Sequence, residues 1–524
     1  MTIMNDETRE FVAMYRNEDV RELALKAKRV DGLDLPLALD QIAGWQIASK
    51  KLPQWASCEG IVYPPHISME QCSSQFTAQY KSEIAQTLLK PATTVRARVS
   101  DSAESDNQTT KSEPQLSDSA ELGNYEAEMC LRTSDSGESD TQEVKMGAWM
   151  TDSPESDTLV AKRAMVDLTG GFGVDFSYLA RGFSQATYVE RQRHLCDLAE
   201  HNMAALGLDQ ARIVCGDGVE YLRQMDPVDF IYLDPARRDE HGARTYAIED
   251  CTPNVLELRN LLLAKSQCTL VKLSPMLDWR KAVADFDGAV REVHIVATGN
   301  ECKELLLVLG RPAHSDARDG VDGVGSRRCS AAHASVERMD GGRDSAGTVV
   351  SFDGEAKAER IAAASHDGRY AAPRVFCVND DQRIDYDSAT YTQGLRIGGK
   401  PLPEAKNYLY EPNASIMKAG CFDLVEERFG VTQIGPSSHL FVSEQQIADF
   451  PGRGFAIEAV GSMNKKDTKR LLNGAKQANI AVRNFPLTAP QLRKKLKLAD
   501  GGTVYLFGTT MQGGGHVLLR TSKI

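Results

Sequence analysis

The feature that most constrains this chain is the stretch of residues 165–175, in which an apolar run ends in Asp167 and a glycine-rich turn follows. A helix-like pattern of apolar residues comes next, so the order predicts a strand, a tight turn and a helix. Glycines at such a junction let the backbone turn sharply and bring N–H groups close to a ligand at the helix start. A dinucleotide fingerprint needs a third glycine three positions after Gly173, and Phe176 stands there. The turn therefore predicts a nucleotide-type cradle for a cofactor other than NAD.

Three more apolar stretches follow this turn, and polar residues stand at the end of each. The second stretch ends in Glu190, about 20 residues past the glycines, where an acid usually holds the ribose hydroxyls of a nucleotide. The third is followed by Asp217 and Gly218, and the fourth by Asp234. Ligands bind at the carboxyl ends of the strands in open α/β sheets. We therefore expect these four strand ends, or tips, to form one site.

Taken together, the four tips resemble those of a class I S-adenosylmethionine-dependent methyltransferase. The resemblance implies an α/β fold with a Rossmann-like, seven-stranded class I methyltransferase sheet, and S-adenosyl-L-methionine as the cofactor. It implies that Glu190 binds the ribose hydroxyls and that Asp217, beside Gly218, accepts a hydrogen bond from the adenine amine. The residues that would face the methionine part of the cofactor are Asp167, Thr169, Gly170, Gly171 and Gly173.

The fourth tip would face the methyl acceptor, and its catalytic candidates are Asp234, Pro235 and Arg237. Methyl transfer from a sulfonium needs alignment more than covalent help. If the acceptor is an exocyclic base amine, Asp234 or a carbonyl of its turn would accept an N–H hydrogen bond, and Pro235 would stiffen the turn. Arg237 and Arg238 would meet phosphate or stack on a base, or else pair with nearby acids in an exposed network. Carbon-5 pyrimidine methylation would require a cysteine nucleophile at the fourth or fifth tip, and neither has one.

Length and composition limit the number of domains and the class of protein. A chain of 524 residues is long enough for two or three domains. Its mean hydropathy of −0.36, the absence of an apolar run of about 18 residues and the lack of a signal-peptide pattern predict a soluble, cytoplasmic protein with no membrane partner. The 11 cysteines form no C-x-x-C pair, which argues against a disulfide framework and against a metal site.

The charge is spread unevenly along the chain. The net charge is −12, yet from Arg453 to the end there are 13 Lys or Arg and three Asp or Glu, so this end carries +10 and the rest −22. Such an asymmetry suggests a polyanion for the basic end, and we expect RNA, either rRNA or tRNA. The alternative is that these side chains are solvated helix faces. The predicted RNA contacts are Lys465, Lys466, Arg483, Arg493, Lys494 and Lys495.

The first three hundred residues divide into three parts. Residues 1–91 predict a helical domain, and within it residues 70–81 resemble a stretch that covers the cofactor in several RNA methyltransferases. This makes Thr77, Tyr80 and Lys81 candidates, against the alternative of an ordinary capped helix. Residues 92–160 carry a polar and acidic repeat of period 17, which predicts a disordered spacer. Residues 161–310 form the predicted methyltransferase domain, which closes with an antiparallel hairpin.

The remainder predicts an insertion and two small α+β domains. Residues 311–374 have the composition of a second, low-complexity insertion, and residues 375–400 predict the final strand of the catalytic domain and a linker. Residues 401–453 resemble the ferredoxin-like module, and 454–524 the THUMP-like module, of one bacterial methyltransferase family. THUMP domains elsewhere belong to RNA-modifying enzymes. The resemblance covers nearly the whole chain apart from the insertions.

The leading hypothesis is a methyltransferase that acts on a base nitrogen of rRNA or tRNA. One alternative is a methyltransferase for a protein or small-molecule amine. The other is a catalytically inactive RNA-binding protein that keeps the cofactor fold, and the intact acids at the strand tips argue against it.

Overall fold

The computed structural model describes residues 4–26, 32–90, 163–236, 247–310, 372–391 and 407–524. All of these ranges belong to one unit made of residues 1–90 and 162–524. The repeat insertion, nearly all of the second insertion, Arg237 and Arg238 lie outside the described residues. Within the described ranges, no helix combines the length and the apolar character that a membrane span requires.

Helices fill the described N-terminal region, and capping side chains mark the starts of the two longest. Asp34 accepts a hydrogen bond from the N–H of Leu37, and Ser74 accepts one from Thr77, so each satisfies a backbone donor at a helix start. The helices are α1 (Asp6–Tyr15), α2 (Val20–Lys26), α3 (Leu35–Lys51), α4 (Pro53–Ser57), α5 (His66–Gln71) and α6 (Gln75–Leu88). Their buried side chains, such as Trp55, share one hydrophobic core with Phe172 of the glycine-rich turn.

The first sheet has nine strands among the described residues, in the order β3-β2-β1-β4-β5-β7-β6-β8-β9. The strands are β1 (Ala164–Asp167), β2 (Gln185–Glu190), β3 (Ala211–Cys215), β4 (Val228–Leu233), β5 (Ser266–Leu273), β6 (Val290–Thr298), β7 (Glu301–Gly310), β8 (Arg374–Asn379) and β9 (Gln382–Asp387). Neighbours from β3 to β5 pair in parallel, and β7 runs antiparallel to both β5 and β6. The helices between them are α7 (Val174–Leu179), α8 (Arg193–Ala205), α9 (Gly218–Gln224), α10 (Val255–Lys265) and α11 (Trp279–Asp285).

This sheet contains the seven predicted strands and extends past them. The order from β3 to β5 is the doubly wound one, with ligands expected at the carboxyl ends, and β6 and β7 are the predicted closing hairpin. The segment expected to supply one final strand folds instead as a second hairpin, with β8 parallel to β6 and β9 antiparallel to β8. Ile384 and Tyr386 are buried while Asp387 is exposed, so β9 packs one face on the core.

The C-terminal region forms a seven-stranded sheet in the order β11-β12-β10-β13-β16-β15-β14. Its strands are β10 (Tyr408–Pro412), β11 (Thr432–Gln433), β12 (Phe441–Ser443), β13 (Gly452–Gly461), β14 (Asn479–Arg483), β15 (Tyr505–Thr510) and β16 (His516–Lys523), and its helices are α12 (Ala414–Ala419), α13 (Phe422–Phe429), α14 (Lys465–Leu472) and α15 (Ala489–Leu496). Because β10 pairs with β13, the two predicted small modules share one continuous sheet.

Candidate active site

The glycine-rich turn follows β1 directly and is shaped by its hydrogen bonds. The N–H of Thr169 donates to Asp167 Oδ1 at 2.9 Å, and the N–H of Gly170 donates to the carbonyl of Val189 at 2.9 Å. Gly171 (φ 55°) and Gly173 (φ 85°) lie in the left-handed region, which glycine enters at little cost. The chain therefore reverses here and α7 starts immediately after the turn.

Direct contacts join the other strand tips to this turn. The N–H of Gly171 donates to Glu190 Oε2 at 3.0 Å. The N–H of Asp234 donates to Thr169 Oγ1 at 2.7 Å. At the start of α9, a side chain on Gly218 would place its Cβ only 2.1 Å from the carbonyl oxygen of Leu168. The structure thus brings the predicted tips of β1, β2, β3 and β4 together.

Asp217 caps α9. Its Oδ1 accepts hydrogen bonds from the N–H groups of Val219 at 2.9 Å and Glu220 at 3.0 Å. The residue is exposed, and its Oδ2 forms no hydrogen bond within the described part of the chain. Capping therefore leaves one oxygen available to a ligand.

The fourth tip is held from two sides. Ala236 exchanges two backbone hydrogen bonds with Thr252, at 2.8 and 3.0 Å, and Pro235 is buried. Asp234 keeps 32% of its side chain exposed, and its Oδ2 accepts a hydrogen bond from Lys272 Nζ at 2.6 Å. The carboxylate thus faces the open side of the site while one oxygen is fixed from behind.

Burial and like charge act on the acid at the end of β1. Burial raises the pKa of Asp167 well above its usual range, against the hydrogen bond from Thr169, and the carboxylates of Asp175, Asp234 and Glu190 raise it further. A cationic ligand at this turn would relieve that repulsion. The electrostatics therefore favour a positively charged ligand.

Behind Asp234 lies a buried ion network that sequence reasoning missed. Its members come from the segment before α6, from α6 itself, from α7 and from strands β4, β5 and β7, and they are Ser73, Lys81, Asp175, Tyr232, Lys272 and Glu304. Two lysines carry its positive charge. Lys81 Nζ lies 3.0 Å from Asp175 Oδ1 and 2.7 Å from Glu304 Oε2, and Lys272 Nζ lies 3.9 Å from both Asp175 Oδ2 and Glu304 Oε1. The available sequence signal was a lysine, Lys272, between two apolar residues of β5, and a glutamate, Glu304, directly before the apolar run of β7.

The network shifts the pKa values of its members in opposite directions. Burial would raise the pKa of Asp175, but the ammonium groups of Lys81 and Lys272 lower it to about 2. Burial by itself would lower the pKa of Lys272, but the carboxylates of Asp234, Glu304 and Asp175 outweigh burial and raise it. Both groups are therefore charged at neutral pH.

The candidates of α6 are packed inside the protein. Thr77 and Lys81 are buried, and the hydroxyl of Tyr80 lies 2.8 Å from His294 Nδ1. Tyr80 thus contacts the sheet, Lys81 belongs to the ion network, and Thr77 bonds to the helix cap Ser74. The alternative of a capped, packed helix matches these positions.

The predicted RNA contacts fall into two groups. Arg483 forms an ion pair with the buried Glu411 at 2.6 Å, and Arg493 forms one with Asp500. The other four are exposed on α14 and α15 and form no ion pair within the described ranges: Lys465, Lys466, Lys494 and Lys495. Of the six predicted RNA contacts, the four lysines are therefore the ones whose positive charge no described acid neutralises.

Comparison with known proteins found two family models and a solved structure that resemble this chain. A family model described as a ferredoxin-like domain matches residues 408–451, and one described as THUMP domain-like matches residues 452–523. The crystal structure of a proposed methyltransferase from Porphyromonas gingivalis W83 is similar over 100% of both chains, with 26% sequence identity and a TM-score of 0.64. No curated protein matches the sequence.

Shorter likenesses to solved structures also occur. A SAM-dependent methyltransferase from Agrobacterium tumefaciens is 20% identical over 30% of this chain and 57% of that one, with a TM-score of 0.24. An O-methyltransferase from Bacillus cereus in complex with SAH is 13% identical over 28% of this chain and 74% of that one, with a TM-score of 0.23.

The doubly wound first sheet and the full-length likeness define a class I methyltransferase, the class of enzyme that takes its methyl group from S-adenosylmethionine. More particularly, the chain is a methyltransferase that ends in a ferredoxin-like and a THUMP-like domain, as its resemblance implied.

Proposed function

We propose that the protein transfers a methyl group from S-adenosylmethionine to a base nitrogen in rRNA or tRNA. The observation that carries this proposal is the placement of Asp234. Its carboxylate is partly exposed and lies beside the glycine turn after β1. That turn contacts the tips of β2, β3 and β4. The glycine turn that would hold the methyl donor and the proton-accepting carboxylate of Asp234 therefore lie next to each other.

The residues of the cradle fit the cofactor chemically. Glu190 accepts hydrogen bonds from the N–H groups of Gly171 and Gln192, and the remaining lone pairs of its two oxygens suit a pair of ribose hydroxyls. The free oxygen of Asp217 suits an exocyclic amine. Burial raises the pKa of Asp167 and the neighbouring carboxylates raise it further, so a cationic ligand beside them would favour the ionised form. When bound, the cofactor supplies a methyl group already activated by a sulfonium.

The chain itself aligns the acceptor. Asp234 Oδ1 forms no hydrogen bond to any described residue, so it can accept one from an N–H of the acceptor and aim the nitrogen lone pair. The buried Pro235 and the pairing of Ala236 with Thr252 limit the movement of that turn. Carbon-5 pyrimidine methylation through a cysteine nucleophile is disfavoured, because the described residues at the ends of β4 and β5 include no cysteine.

RNA as the acceptor is supported by the C-terminal region. The THUMP-like match covers residues 452–523, and the exposed Lys465, Lys466, Lys494 and Lys495 lie within it. Lys465 and Lys466 occupy the first turn of α14, where the helix dipole disfavours positive charge. Helix stability therefore does not account for them, whereas contact with phosphate does.

Nucleoside analysis tests the proposal. Total RNA from cells with and without this protein would be digested, and its methylated nucleosides compared by mass spectrometry. We expect one N-methylated nucleoside to disappear without the protein and to return when the wild-type gene is restored. Identical profiles would contradict an RNA substrate.

Asp234→Ala tests the assigned mechanism. The variant should bind S-adenosylmethionine with unchanged affinity in calorimetry, because its backbone N–H still donates to Thr169. Its kcat should fall by about 100-fold or more, the usual contribution of a positioned proton acceptor. An unchanged kcat would remove Asp234 from the mechanism.

A further inference from the structure

Lys272 stands at the meeting point of the buried ion network and the candidate active site. Its Nζ donates to Asp234 Oδ2 at 2.6 Å and lies 3.4 Å from Ser73 Oγ. The side chain is 7% exposed, whereas that of Asp234 is 32% exposed. The ammonium thus approaches Asp234 from the protein interior and leaves its outer side open.

The position of Lys272 is fixed by its surroundings. β5 lies between β4 and β7, and Lys272 pairs with Leu306 in the register of β5 and β7. Asp175 and Glu304 also lie near the ammonium, each at 3.9 Å. A group held by a central strand and by several charges is well suited to orient a neighbour.

We propose that Lys272 is a positioning residue: it holds Asp234 Oδ2 from the interior, so that Oδ1 is presented to the N–H of the methyl acceptor. This inference rests on the proposed function. Without the lysine, the carboxylate of Asp234 would rotate freely about its side-chain bonds.

Lys81 provides a matched control in the same network. Its Nζ also contacts Ser73, Asp175 and Glu304, at 3.0, 3.0 and 2.7 Å, and its side chain is fully buried. It makes no contact with Asp234 among those the described residues form. Replacing either lysine removes one buried ammonium from the same acids, but only the loss of Lys272 also releases Asp234.

The test compares Lys272→Met with Lys81→Met in the full chain. The assay measures transfer of a labelled methyl group from S-adenosylmethionine to total RNA from cells that lack the protein. Both variants should have a lower Tm and bind S-adenosylmethionine within about threefold of the wild type. Lys272→Met should lower kcat about 100-fold with little change in the KM for RNA, and Lys81→Met should keep kcat within about threefold. Lys272→Arg, which retains the charge, should recover part of the loss.

A double-mutant cycle keeps the test decisive if Lys272→Met is poorly folded. Lys272→Arg should lower kcat in the wild-type background but have no further effect on the residual rate of Asp234→Ala, because it acts through that carboxylate. If Lys272→Arg lowers kcat equally in the wild-type chain and in Asp234→Ala, the inference is overturned. Equal kcat values for Lys272→Met and Lys81→Met would also overturn it. Either result would leave the proposed function intact. A wild-type protein that methylates none of this RNA would overturn both.

Discussion

At the scale of single residues, we expect Asp167 to link cofactor binding to pH. Burial and the nearby carboxylates raise its pKa, so the free protein holds a proton there at pH values where an ordinary carboxyl group does not. A cationic ligand favours the ionised form, and binding must therefore release that proton. Affinity for S-adenosylmethionine should rise with pH as Asp167 ionises, in a window that lies above about pH 4.

Calorimetric titrations from about pH 5 to about pH 7 would measure this dependence. Asp167→Asn serves as the control, since it has no proton to release and should bind weakly with little pH dependence. A wild-type affinity that stays constant or falls as the pH rises would contradict this role of Asp167.

Single residues also show what the sequence predicts well and what it does not. Asp167, Glu190 and Asp234 follow apolar strands in chain order, and parallel strands bring such ends to one edge, so their meeting could be predicted. The partners of Lys272 could not, because Asp234 lies 38 residues away and Ser73 lies 199 residues away. Arg483 was predicted to contact RNA from local charge alone, whereas its ion pair with Glu411 spans 72 residues.

At the scale of elements, α4 supports the glycine turn from the outside. Trp55 is 1% exposed, its Nε1 donates to Ser177 Oγ at 3.2 Å, and its ring lies 5.0 Å from that of Phe172. Trp55→Ala should lower the free energy of unfolding by about 3–5 kcal/mol through the cavity it leaves. It should also weaken cofactor binding, because Phe172 belongs to the turn.

Urea denaturation and calorimetry would measure the two effects. Leu25→Ala is the control, since Leu25 is 87% exposed and its loss should change the free energy of unfolding by no more than about 0.5 kcal/mol. If Trp55→Ala changed the free energy of unfolding as little as this control, the N-terminal helices would not be part of the methyltransferase core.

The elements themselves were predicted with uneven success. The closing hairpin of β6 and β7 is marked by two apolar runs around Gly299 and Asn300, and it was placed correctly. The second hairpin was missed, although Asp380 and Asp381 mark a turn and Ile384 and Tyr386 alternate with charged residues.

At the scale of the whole molecule, the C-terminal sheet is attached to the catalytic sheet. Trp279 Nε1 and Arg280 both donate to the carbonyl of Ala419, at 3.3 and 3.0 Å. The pairing of β10 with β13 continues this attachment into the THUMP-like domain. Strand pairing across a domain boundary is set by long-range contacts, so the sequence resemblance identified both modules without indicating their common sheet.

If the THUMP-like domain binds RNA, exposed lysines should set its affinity. Lys494→Glu combined with Lys495→Glu should weaken binding about tenfold or more and reduce the salt dependence of the affinity by about one phosphate contact per lysine. Filter binding over a salt series would measure both. The control, Lys50→Glu with Lys90→Glu, changes the net charge equally at exposed positions outside the THUMP-like domain. Equal losses in the two double variants, or no salt dependence, would exclude this surface.

The central claim is that four strand ends and a glycine turn bind S-adenosylmethionine. Calorimetric titration of the purified chain with S-adenosylmethionine tests it most directly. We expect saturable binding of one molecule per chain, weakened by at least about tenfold in Glu190→Gln, which alters the group assigned to the ribose hydroxyls. Failure of the wild-type chain to bind either S-adenosylmethionine or its demethylated product would contradict the claim.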